Sequence, residues 1–123
     1  MPGSDEHLRQ AERFEGFLRQ ISTPTQPYKE WIVIVTFHIA LHYVDAFLAT
    51  RGHAQIEGHS DRWAKMGRYN ETRLSIEPFG RLYKDAKEAR YQGGEYAPAD
   101  LAEIERLYLQ VRRSMRQALG LPV

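Results

Sequence analysis

A chain of 123 residues with 17 basic and 16 acidic side chains has the length of one domain and buries enough surface to fold without a disulfide or a structural metal. Its formal net charge of +1 argues against a constitutive electrostatic grip on a long nucleic acid, and leaves room only for a local basic face. With no cysteine, disulfides, thiolate metal sites and a cysteine nucleophile are excluded, and the compartment is not legible from redox chemistry.

The first residues, MPGSDEHLRQAERFEGF, are charged and hold no apolar h-region, so no secretory signal is expected and the expected location is cytoplasmic. Leu8, Ala11, Phe14, Phe17, Leu18 and Ile21 recur at three- and four-residue steps, which predicts a helix from about Asp5 to Ile21 with Ser4 and Asp5 as caps. Thr23-Pro24-Thr25-Gln26-Pro27 then forces a turn, with Pro27 placed as the first residue of a second, antiparallel helix.

That second helix, Tyr28 to Arg51, is apolar on nearly every side. At helical spacing it places His38, His42 and Asp45 in one stripe with Trp31, Val35 and Ala49. A helix apolar all round is a bundle's central helix or a membrane span, and two histidines plus an aspartate at mid-depth are costly in lipid. The reading is a buried central helix in a soluble bundle, with no membrane partner. Gly52 suits the left-handed position after it, His53 to His59 forms a loop, and Ser60 is a candidate cap.

A third helix, SDRWAKMGRYNETR, has only Trp63 and Met66 as a convincing apolar face, with Gly67 in the middle and a weak point near Asn70. A fourth begins around Ile76 with Pro78 in its first turn. Ile76, Phe79, Tyr83, Ala86 and Arg90 share its face, which puts Tyr83 and Arg90 inward or at the edge, and Gly93-Gly94 ends it. Asp100 to Glu103 has the form of a capping box, after which Leu101, Ile104, Tyr108, Val111, Met115 and Leu119 make a steady stripe to Gly120. Arg106, Arg112, Arg113 and Arg116 decorate the other faces. These elements predict one all-α domain, an up-and-down four-helix bundle with an additional short helix.

Three constellations carry chemistry. His38, His42 and Asp45 stand at i, i+4 and i+7 and could present two imidazoles and a carboxylate to one ion, with His53 or His59 as a fourth ligand. The alternative is that His42 and Asp45 hydrogen-bond each other and anchor a loop or a neighbouring tyrosine. His59-Ser60-Asp61-Arg62 follows a glycine-containing loop at a helix start, where free backbone N–H groups and a cation suit phosphate, or where the helix is simply capped. Tyr83 to Tyr91 interleaves aromatics with cations able to stack on and pair with a nucleotide, or forms a solvated charged face.

The string WIVIVTFHIALHYVDAFLATRG, the HAQIEGHSDR after it, and LYKDAKEARYQ before a last long helix together resemble the HEPN domain family of small helical bundles. Ala40, His42, Asp45, Ala46, His59, Arg62, Tyr83, Arg90 and Tyr91 carry the resemblance, which covers about Tyr28 to Arg116. It implies a role around nucleotides or RNA, a homodimer, and a minimal nucleotidyltransferase as a candidate partner in a toxin and antitoxin pair. Members that cut RNA without metal use an Arg and then a His with four to six residues between them. Here the nearest such pair, Arg51 and His59, has seven residues between them, so the nuclease activity does not carry over. The expectation is a HEPN-like bundle binding a nucleotide, RNA or a nucleotidyltransferase through His42, Asp45, His59, Arg62, Tyr83, Arg90 and Tyr91, with no cofactor. The alternatives are a metal-binding bundle or metal-dependent enzyme built on His38, His42 and Asp45, and a structural dimerisation module.

Overall fold

Hydrophobic burial is concentrated in one helix. In a computed structural model that describes residues 3–92 and 95–123, Lys29–Thr50 (α2) buries Val33, Ile34, Val35, Phe37, Ile39, Ala40, Tyr43, Ala46 and Leu48, positions that point in every direction around its axis. Such a helix needs neighbours on several sides. Ser4–Ile21 (α1), Ile76–Gln92 (α5) and Pro98–Ala118 (α6) provide them, with α5 and α6 also packed on each other. The result is an all-α helical bundle of four long helices and two short ones, with no strand among the described residues. Among the described residues, α2 is the one helix that is long and apolar enough to cross a membrane, and 72% of its most apolar window lies buried inside the bundle.

The predicted third helix is broken. His59–Met66 (α3) ends at Gly67, Tyr69 is extended, and Asn70–Arg73 (α4) starts afresh and packs against α6. Thr72 Oγ1 donates to Met66 O at 2.5 Å, so a buried threonine closes the end of α3 across the break. The bundle therefore carries two short helices in place of one.

Several helix ends also differ from expectation. The second helix starts at Lys29, leaving Pro27 in the turn, where Gln26 Oε1 accepts the Tyr28 N–H. Ser60 lies inside α3, whose start follows Gly58 at φ 90°, a conformation that glycine adopts without a side-chain clash. The last helix begins at Pro98. Asp100 is its third residue and accepts the Ala97 N–H at 2.9 Å, while Glu103 is spent on Arg106 and Arg81. At the end of α2, Gly52 takes φ 85° and His53 N–H returns to Leu48 O at 3.0 Å, which satisfies a carbonyl the helix leaves open. The Gly93-Gly94 stop lies outside the described residues.

Candidate functional site

The centre of the candidate site is an ion pair inside the bundle. Arg62 donates from Nε to Asp45 Oδ1 at 2.7 Å and from Nη2 to Oδ2 at 2.9 Å, and both residues are buried. A carboxylate in the middle of an apolar helix is costly unless it is paired, and the planar guanidinium fork meets both oxygens at once. This corrects two expectations. Arg62 is not exposed in a first turn facing an anion, and Asp45 gives its oxygens to Arg62 and makes no hydrogen bond with His42.

His59 completes the arrangement from the start of α3. Arg62 Nη1 donates to His59 Nδ1 at 3.1 Å, so the imidazole is neutral with its proton on Nε2. Burial holds the His59 pKa below its ordinary value, and the nearby Arg62 and Arg90 charges push the same way against Asp45. The His59 ring lies 4.5 Å from Tyr83, centroid to centroid. Phe37 of α2 is the hub, with His38, His59, Phe79 and Tyr83 all within 6.1 Å of its ring. His38 is half-buried, and burial, Arg90 and His59 all lower its pKa. Arg90 itself is exposed, with its guanidinium carbon 5.3 Å over the ring of Tyr91 and Nη2 3.3 Å from the phenol oxygen. Tyr91 is 73% exposed.

Of the residues singled out by sequence, Asp45, His59, Arg62 and Tyr83 are brought together, Arg90 acts on the two nearest imidazoles, and Tyr91 stacks on Arg90. His42 is not among them. Its Nδ1 lies 3.0 Å from His7 Nδ1 on α1, and its ring packs beside Phe14. Burial, and after it His7, brings the His42 pKa down to about 4, with Asp45 opposing. His38, His42 and Asp45 do not converge as ion ligands, and no group of three or more His, Asp or Glu among the described residues could hold a metal. His53 is spent on the Tyr69 hydroxyl at 2.6 Å.

A second polar network was not legible in the sequence. The Glu15 carboxylate on α1 accepts Tyr43 Oη at 3.0 Å, the Tyr108 hydroxyl, and Arg112 Nε at 2.7 Å, while Arg116 Nη1 donates to Tyr43 at 3.2 Å. Burial raises the Glu15 pKa, but hydrogen bonds from Tyr108 and Arg112 and the Arg112 charge outweigh it, so the carboxylate stays ionised below the usual range. The available signal was the pair of phenols: Tyr43 and Tyr108 sit in apolar stripes, and a buried phenol demands a partner. His7 had a comparable signal, seven residues from Phe14 on the same helical face.

Along α1 and the first half of α2 runs an apolar groove of about 580 Å³, which reaches His38 from Phe14, Phe17, Tyr28 and Trp31. Phe17, Tyr28 and Trp31 are 46%, 62% and 54% exposed. No family model, curated relative or solved structure matches the chain.

Proposed function

We propose that this protein is a HEPN-like bundle that binds a phosphate-bearing nucleotide, free or within RNA, at the face where α2, α3 and α5 meet. The observation that carries the reading is the gathering of His38, His59 and Tyr83 around Phe37 beside exposed Arg90. The buried Asp45–Arg62 pair stiffens this face and fixes the His59 tautomer, leaving an Nε2–H donor. Arg90 supplies the charge for a phosphate, and Tyr91 offers a ring on which a base stacks. Binding without cleavage is the proposed activity, because the chain lacks the Arg and His spacing of the family's nucleases.

The same reading has the protein act as a homodimer. The groove brings together three exposed aromatics, Phe17, Tyr28 and Trp31, and covering it with a second copy would remove apolar surface from water next to His38.

Imidazole resonances test the site directly. Adding a nucleoside monophosphate to the full chain should shift the His38 and His59 signals and leave His53, which is tied to Tyr69, unchanged. Shifts at His53 alone, or none at saturating ligand, would overturn the proposal.

A further inference from the structure

Away from the His59 face, α1, the first part of α2 and the Pro98–Arg112 stretch of α6 line a second, solvent-open cavity of about 800 Å³. Its size lies in the range of small-molecule sites, whose walls are mostly apolar with a few placed polar groups. Leu18, Ile32, Leu101 and Ile104 give the apolar walls. On the polar side stand Arg19, Arg112, Glu15 and Tyr108, with Lys29 and Glu105 also on the lining.

The electrostatics of that polar side select the sign of a ligand. Glu15 is ionised but already accepts Tyr43, Tyr108 and Arg112, so its charge is answered from within the protein. Arg112 uses only Nε for this, and both of its Nη groups lack a protein partner among the described residues. Arg19 lies one turn after Glu15 on the same face of α1 and forms no ion pair among the described residues. Two guanidinium groups with N–H donors to spare thus flank an apolar cavity, and guanidinium forks match carboxylates and other planar anionic heads. Lys29, whose ammonium donates to Gln26 O at 2.6 Å and keeps its charge, offsets the exposed Glu105 carboxylate on the same lining, so Arg19 and Arg112 set the sign.

From this we infer that the cavity between α1, α2 and α6 binds a small amphipathic anion, with an apolar chain or ring against Leu18, Ile32, Leu101 and Ile104 and an anionic head on Arg19 and Arg112. This site is separate from the nucleotide face and does not depend on it.

Isothermal titration of decanoate, kept below its micelle concentration, into the full chain tests the inference. One decanoate should bind per chain, and decanol should bind at least tenfold more weakly. Ala102→Trp places a large ring in the cavity mouth from an exposed position on α6 and should abolish binding while circular dichroism shows the fold intact. Arg19→Gln removes the guanidinium without adding a carboxylate one turn from Glu15 and should weaken decanoate at least tenfold. Absence of decanoate binding by the wild type, wild-type affinity in either variant, or equal affinity for decanol would overturn it.

Discussion

Asp45 and Arg62, 17 residues apart, meet through two charge-assisted hydrogen bonds of 2.7 and 2.9 Å inside the bundle. Removing one partner of such a pair leaves a buried charge uncompensated and costs about 3 to 5 kcal/mol, whereas replacing both by apolar residues of similar size is often close to neutral. Asp45→Ala and Arg62→Ala should therefore each destabilise by about that amount in urea unfolding, and Asp45→Leu with Arg62→Met should recover most of the loss. Additive losses in the double variant would show that the pair is not a coupled unit.

The pair also marks where sequence reasoning stops. Spacing within α2 brought Asp45 next to His42, because an i, i+3 rule sees only contacts inside one helix. The contact that forms instead crosses the loop, and which cation closes on a carboxylate over such a distance is decided by how α3 folds back. Glu15 is a stronger case, since its partner Tyr108 lies 93 residues away. What was legible were features whose cause is local. The apolar circumference of α2 required a bundle, Gly52 required a left-handed turn, and Gly67 weakened the third helix at the point where it breaks.

His42 makes folding depend on pH. Its pKa falls from 6.5 to about 4 in the folded protein, so between those values the unfolded chain binds more protons at this site than the native one. The contribution of the neutral ring is fully present above pH 6.5 and is lost as the pH falls toward 4. His38 and His59 are shifted in the same direction. Stability measured by urea unfolding should decline from pH 7 to 4.5, and His42→Gln should flatten that decline by about one proton. An unchanged slope in the variant would place the proton uptake elsewhere.

The aromatic groove beside His38 should govern assembly. Light scattering at micromolar concentration should give twice the 14.3 kDa chain mass for the wild type and the single-chain mass for Trp31→Ala combined with Phe17→Ser. Both side chains are substantially exposed, so the melting temperature of the dissociated chain should change little apart from the loss of the interface. A wild type that runs as a single chain, or a double variant that remains a dimer, would remove the groove from the account.

The most direct measurement of the central claim is a fluorescence-anisotropy titration of a labelled short single-stranded RNA, with unlabelled nucleoside monophosphates as competitors, into wild type and Arg90→Ala. Arg90 is exposed and its one hydrogen-bond and cation–π partner among the described residues is Tyr91, so its removal should leave thermal stability within about 0.5 kcal/mol of wild type. A charge-assisted contact to phosphate is worth about 1.5 kcal/mol or more, so Arg90→Ala should weaken binding roughly tenfold. Equal affinity in wild type and Arg90→Ala, or no binding by the wild type at low salt, would contradict a nucleotide site on this face.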